Sequence, residues 1–322
     1  MNERTRNVVF LDTGTLPPSI KLPSFSFPVE LTGYPKSAPQ EVSDRIRDAD
    51  IVITNKVPIA RHDIERASNL KLIAVAATGT NVIDLAAARE QGVTVSNIRD
   101  YATHTVPEHT FALILALRRN LHSYRQSVVD GRWQQAGQFC YFDYPIADLA
   151  GTTLGVIGGG ALGSAVARLG RAFGMTVLSA GRKGEAHPAE GKAAFIDVLE
   201  QSDVLTLHVP LLPDTKDLIG APEFALMRRK PLVINTSRGG LVNEKALHHA
   251  LVSGQIAGAG FDVVSTEPPP SDHIMMKLLE QPNFLLTPHV AWASEQAIQT
   301  LVDQLAENIE LYVSGSPRNV VV

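Results

Sequence analysis

The chain has 322 residues, enough for two domains of ordinary size, and 44% of them are hydrophobic, which supports real cores and excludes a disordered chain. The formal net charge of −4, from 29 basic and 33 acidic residues, excludes a basic nucleic-acid footprint, so no nucleic-acid partner is expected. A single cysteine, Cys140, excludes an internal disulfide, the N-terminal stretch lacks the apolar core of a signal peptide, and the apolar run at 111–117 is too short to span a bilayer, so a soluble, cytoplasmic protein with no membrane partner is expected.

In chain order, residues 7–12 read as a strand. Residues 13–40 are rich in Pro, Ser and Thr and read as loop with weak strand content. A short helix at 42–49 precedes a strand at 51–54, which ends at Asn55 and Lys56. A helix at 63–67, a strand at 72–77 running into Thr78 and Gly79, a helix at 83–91 and a strand at 93–96 follow. Strands alternating with helices predict a first, smaller parallel α/β unit. The pattern at 106–124 predicts a long helix leading out of that unit, with Pro107 tolerated in its first turn. Residues 131–150 carry Trp133, Tyr141, Phe142 and Tyr144 with little periodicity. They read either as an arm usable at a subunit contact or as a packed loop.

The most informative stretch is 154–182, LGVIGGGALGSAVARLGRAFGMTVLSAGR. An apolar strand runs into Gly158, Gly160 and Gly163 in the order G-x-G-x-x-G. A helix with Ala165, Val166, Leu169 and Phe173 on one face follows, and then a second strand at 175–180. Strand, glycine turn, helix, strand is the context that a dinucleotide fingerprint requires. The first glycine permits the tight turn, the second lets backbone approach a pyrophosphate, and the third lets helix and strand pack closely. The helix start, at Ala161 and Leu162, faces the phosphates. NAD-type units end the second strand in an acidic residue that holds the ribose hydroxyls. Here that position is Gly181, followed by Arg182 and Lys183. No carboxylate repels a 2′-phosphate and two cations are on hand to bind it, so NADP(H) is expected as the preferred cofactor, with NAD(H) second.

Further strands at 204–209, 232–235, 256–263 and 283–287, a helix at 243–253 and a closing helix at 294–314 complete the pattern. The expected fold is two doubly wound parallel-sheet α/β domains. A Rossmann-type coenzyme domain spans 104–289, and a smaller flavodoxin-like substrate domain spans 1–103 and 290–322. Ligands of such sheets bind beyond the carboxyl ends of the strands. His208, Pro210, Thr236, Arg238, Asp262 and His289 all lie at or just past such ends.

Several segments together resemble the D-isomer-specific 2-hydroxyacid dehydrogenases. They are GGGALG at 158–163, NTSRGGLVNEKAL at 235–247, GAGFDVVSTEP at 258–268, TPHVAWAS at 287–294 and, in the smaller domain, AATGTNVIDLAAAREQGV at 76–93. TNKVPI at 54–59 and the HVAWAS ending most resemble the glycerate dehydrogenase (hydroxypyruvate reductase) branch. The resemblance implies reduction of small 2-keto acids such as hydroxypyruvate or glyoxylate, in a crevice between two domains whose closure excludes water. It implies His289 as the acid–base group, paired with Glu267, which favours its protonated form and orients it. It implies Arg238 as the clamp on the substrate carboxylate. Backbone N–H groups of Thr78 and Gly79 would complete that clamp, and Asn55 and Lys56 would reach the distal end of the substrate. Asp262 would touch the nicotinamide carboxamide, and His208, Pro210 and Thr236 would line the cofactor. Trp292 is either a substrate wall or a core or interface residue. The resemblance further implies a homodimer.

Two other readings stay open. One is a dehydrogenase of another small acid, such as formate, phosphite or D-lactate. The other is an NAD(P)H-sensing, corepressor-like protein on the same fold, which would bind cofactor without turnover. No metal site is expected. His248 and His249 are adjacent on a helix and point apart, and His104 and His109 are spaced wrongly for one helical face.

Overall fold

The computed structural model describes residues 4–185 and 187–322, in which the alternation of strands and helices builds two parallel sheets. The chain divides into two units, Met1–Tyr101 with Ala293–Val322, and Ala102–Trp292.

The smaller unit holds β1 (Arg6–Phe10), β2 (Val29–Gly33), β3 (Ile51–Thr54), β4 (Leu72–Val75) and β5 (Thr94–Ser96). They lie in the order β2-β1-β3-β4-β5, with every neighbour parallel. That is the flavodoxin-like order. Every residue of β3 and β4 is buried, which is why both read as unbroken apolar runs. The strand β2 lies inside the stretch read as loop with weak strand content. It is an edge strand with no fully buried residue, so no apolar alternation marks it in the sequence. The helix Glu295–Val313 starts at Ser294, whose side chain accepts the N–H of Ala297. It buries Ile298, Leu301, Val302, Leu305 and Ile309, which recur at helical spacing on one face.

The larger unit holds β6 (Thr153–Ile157), β7 (Thr176–Ser179), β8 (Val204–Leu207), β9 (Leu232–Asn235), β10 (Gly258–Phe261) and β11 (Phe284–Leu286). The order is β11-β10-β9-β8-β6-β7, again all parallel. A single bridge from Ala180 to Ala193 adds the start of a further strand beside β7. The chain leaves β6 for β7 on one side and returns to β8 on the other. The crevice at this reversal of direction is therefore framed by the loops after β6 and β8. The helix Ala161–Ala172 packs on β6 through Gly170, where an added Cβ would lie 2.6 Å from the Leu154 side chain.

The long helix expected at 106–124 is two helices, Thr105–Arg118 and Leu121–Val129. They are parted at Asn120, which takes the left-handed conformation that asparagine adopts more readily than most residues. Residues 131–150 contain one short helix, Arg132–Ala136, and are otherwise irregular. Tyr124 is packed there, its hydroxyl donating to the Tyr144 carbonyl at 2.8 Å, whereas Phe139 and Phe142 are 88% and 85% exposed. Val290, Ala291 and Trp292 group with the larger unit, because Asp262 accepts the first two N–H groups and the Trp292 indole donates to the His289 carbonyl. Among the described residues, no helix is long and apolar enough to cross a membrane.

Candidate active site

The glycine turn is built by close approach. Gly158 has φ +110°, and a Cβ there would lie 2.3 Å from the His208 carbonyl oxygen. A Cβ on Gly163 would lie 1.9 Å from the Gly158 carbonyl oxygen. The turn after β6 thus fits only glycine at both places, and it rests directly on the loop after β8. Gly159 and Gly160 are different, since a Cβ on either meets nothing within 4 Å. Gly160 caps the helix Ala161–Ala172 without a side chain. The N–H groups of Ala161, Leu162 and Gly163 in its first turn therefore have no acceptor within the helix and carry the positive end of its dipole. This cradle fits a dinucleotide pyrophosphate.

At the end of β7, Gly181 is pinned by donation of its N–H to Ala193 at 2.8 Å. Lys183 turns away from that end. Its Nζ lies 2.8 Å from Glu223 and donates to the Leu218 carbonyl at 3.1 Å, so its charge is matched by a carboxylate. This corrects the expectation of two cations at the strand end: Arg182 alone of the pair is left there, exposed and without a side-chain partner among the described residues.

After β8, the Nε2 of His208 lies 3.0 Å from the Thr206 hydroxyl, and its Nδ1 is buried without a partner among the described residues. Burial pushes this imidazole down to about 4 from its ordinary 6.5. The ring is therefore neutral in the fold, whereas the unfolded chain takes up a proton as the pH falls below 6.5. Stability from this group is complete above that range and is lost as the pH drops toward 4. Thermal melts should show a loss of about 2 kcal/mol between pH 7 and pH 5 from this group. His208→Gln should lose less over the same window, and an equal loss in both proteins would remove His208 as its source. Pro210 is exposed, and its carbonyl accepts from Thr215. Thr236 is buried, with its hydroxyl 2.9 Å from that of Thr110.

The loop after β11 carries His289. Its Nδ1 lies 2.6 Å from Glu267, whose other oxygen accepts the Val264 N–H at 3.1 Å. Ring and carboxylate thus orient each other, and Nε2 is the ring nitrogen left for chemistry. His289 has φ +55°, a left-handed conformation that costs a non-glycine residue about 1–2 kcal/mol. Asp262, at the end of β10, holds that conformation. Its carbonyl accepts the His289 N–H at 2.8 Å, and its buried carboxylate accepts the N–H groups of Val290 and Ala291 at 2.9 and 2.8 Å and the Thr287 hydroxyl. His109, from the helix Thr105–Arg118, joins the same cluster with Nε2 3.0 Å from the Thr287 hydroxyl. The carboxylate expected to meet a carboxamide thus also holds the loop that presents His289. The part His109 plays carries no signal in the sequence, because it is far from the loop along the chain.

Arg238 follows an Asn235 turn in which the side chain accepts the Ser237 N–H at 3.0 Å and donates to the Arg238 carbonyl at 2.9 Å. The guanidinium is half-buried and donates to the Ser237 carbonyl at 2.6 Å. The next residue, Gly239, lies against the turn that carries Glu267: a Cβ on it would sit 1.9 Å from the Val264 carbonyl oxygen. Glu244 ties the same turn from the other side, accepting the N–H and hydroxyl of Ser265 at 2.7 and 2.8 Å. Arg238, Glu267 and His289 are thus presented by neighbouring loops of one sheet.

The remaining expected residues belong to the smaller unit. Asn55 and Lys56 sit in a loop held by Asp12, which went unremarked in the sequence. Its carboxylate accepts the N–H groups of Asn55 and Lys56 at 2.9 and 2.7 Å, and burial raises its pKa against the pull of those bonds. Thr78 is exposed and fixed by its hydroxyl to the Ile98 carbonyl at 2.8 Å and by the Asn97 side chain to its own carbonyl at 2.8 Å, with Gly79 half-buried beside it. Among the described residues, no group of three or more His, Cys, Asp or Glu side chains could hold a metal ion.

A doubly wound sheet with an uncapped glycine cradle, and a His–Glu pair beyond the strand ends, defines a dinucleotide-dependent oxidoreductase. Residues 111–291 match the family model for the D-isomer specific 2-hydroxyacid dehydrogenase, NAD binding domain. The chain is 50% identical over 318 residues to the glycerate dehydrogenase of Methylorubrum extorquens, covering 98% of this chain and 99% of that one. It is 38% identical to the hydroxypyruvate reductase of Blautia hydrogenotrophica, over 88% of each chain. Among solved structures it resembles the TT0316 protein from Thermus thermophilus, with a TM-score of 0.85 and 30% identity, covering 98% of this chain and 100% of that one. The chain belongs to the D-isomer-specific 2-hydroxyacid dehydrogenase family and is a nicotinamide-dependent enzyme of 2-keto and 2-hydroxy acids.

Proposed function

We propose that the protein reduces hydroxypyruvate to D-glycerate and glyoxylate to glycolate, with NADP(H) preferred over NAD(H). The observation that carries the chemistry is the 2.6 Å contact between His289 and Glu267. With its Nδ1 proton held by Glu267, His289 delivers a proton from Nε2 to the carbonyl oxygen, and in reverse removes it from the hydroxyl. Arg238 swings from the Ser237 carbonyl to hold the substrate carboxylate and polarise the ketone. Asp262 acts as a positioning residue through the His289 loop. Bound nicotinamide supplies the hydride. The cofactor contacts proposed are the glycine cradle with Ala161 and Leu162, the loop residues His208, Pro210 and Thr236, and Arg182 for a 2′-phosphate. In the smaller unit, Thr78, Gly79, Asn55 and Lys56 are the candidate substrate contacts.

The preference for hydroxypyruvate is supported by the names of the two relatives above. The preference for NADP(H) is supported by Gly181 and Arg182. We further assign the chain to the cytoplasm as a homodimer, in which the exposed Phe139 and Phe142 of the arm meet a second copy. Initial rates with hydroxypyruvate, glyoxylate, pyruvate and phosphohydroxypyruvate, each with NADPH and NADH, test both preferences. Hydroxypyruvate should be the fastest substrate and NADPH the better donor. Fast turnover with NADH alone would discard the phosphate argument and keep the chemistry.

A further inference from the structure

The turn after β7 contains a carboxylate that the strand end itself lacks. Glu185 folds back so that its Oε2 accepts the Arg182 N–H at 2.9 Å. The same oxygen lies 3.1 Å from the point where a Cβ on Gly181 would sit. Gly181 is the place from which an NAD-type unit presents its ribose-binding acid. Glu185 therefore brings a negative charge into contact with that station, from four residues further along the chain. Its neighbour in sequence, Lys183, is neutralised by Glu223, while the Arg182 guanidinium has no side-chain partner among the described residues. One carboxylate and one cation thus flank the same spot.

We propose that Glu185 is the specificity-determining residue for the cofactor's 2′ position. This rests on reading the end of β7 as the adenosine-ribose subsite. In the turn as it stands, Glu185 accepts a ribose 2′-hydroxyl, doing the work of the acid that Gly181 cannot supply. A 2′-phosphate displaces the carboxylate by charge repulsion. Displacement frees the Arg182 N–H and brings the Arg182 guanidinium to the phosphate. The exchange is cheap because Glu185 is exposed and leaves a single backbone hydrogen bond behind. Both cofactors are accommodated, and Glu185 limits how far NADP(H) is favoured.

The test uses the full chain with Glu185→Gln, Glu185→Ala and Arg182→Ala. Calorimetric affinities are measured for ADP-ribose and 2′-phospho-ADP-ribose, together with kcat/KM for NADH and NADPH. Removing one like charge near the phosphate should shift the ratio of affinities toward the phosphorylated ligand by about tenfold in Glu185→Gln, with Glu185→Ala at least as large. Arg182→Ala should weaken only the phosphorylated ligand. A ratio unchanged within about twofold in both Glu185 variants, with normal melting curves, would overturn the assignment. So would an equal loss for both ligands, which is what a purely structural cap on the turn would give. The wild-type ratio separately reports whether NADP(H) is preferred. A wild type favouring NADH whose Glu185 variants move toward NADPH would refute that preference and support Glu185. Failure of both fragments to bind the wild type and the variants would overturn the subsite and Glu185 with it.

Discussion

His289→Ala is expected to lower kcat for keto-acid reduction by about 10²–10⁴-fold, the range that a positioned general acid supplies. Cofactor affinity should change little, and melting curves report what the loss of this largely buried ring costs in packing. Alanine in a left-handed conformation adds its own strain, so His289→Asn is the stricter variant. Asparagine accepts that backbone but carries no titrating ring. Glu267→Gln should cost less, about tenfold, because an amide oxygen still receives the Nδ1 proton while the charge assistance is lost. Stopped-flow single turnovers, with cofactor binding followed by fluorescence, separate these effects. A correctly folded His289→Asn enzyme with full activity would remove the acid–base role.

Gly239→Ala is expected to be as damaging, from a residue with no chemistry of its own. The new Cβ would lie 1.9 and 2.1 Å from the carbonyl oxygen and carbon of Val264 and 2.6 Å from the Ser265 nitrogen. All three are backbone atoms, so no side chain can rotate away. The Arg238 loop and the Glu267 turn must separate, at a cost of about 1–3 kcal/mol in stability. Displacement of catalytic groups by about 1 Å costs on the order of a hundredfold in rate, so kcat/KM should fall by at least that much. Melting curves alongside initial rates check both parts. An unchanged kcat/KM would mean that Arg238 and Glu267 need not be held against each other.

The fold was legible wherever burial was two-sided. Strands β3, β4, β8 and β9 are buried at every residue and stand out as short apolar runs between turn signals. The strand β2 was not legible, because an edge strand buries too little to impose a pattern. The break at Asn120 was hidden as well, since the apolar spacing continues through it and only the backbone changes hand. For the site, the fingerprint glycines could be read from spacing, because the clash at Gly163 is with Gly158 and both lie in one local turn.

The amino-acid sequence by itself thus determined the glycine cradle and the strand ends, which depend on residues close together along the chain, and its motifs, through the family resemblance they carry, singled out Arg238, Glu267 and His289 as the candidate catalytic residues. Tertiary structure alone decided that Lys183 belongs to Glu223, that Asp262 with His109 and Thr287 shapes the His289 loop, that Asp12 holds the Asn55–Lys56 loop, and that the Glu185 carboxylate folds back against Gly181. The first three are contacts between segments far apart in sequence, brought together by parallel pairing of distant strands. The last is set by the path of a turn, which composition leaves undetermined.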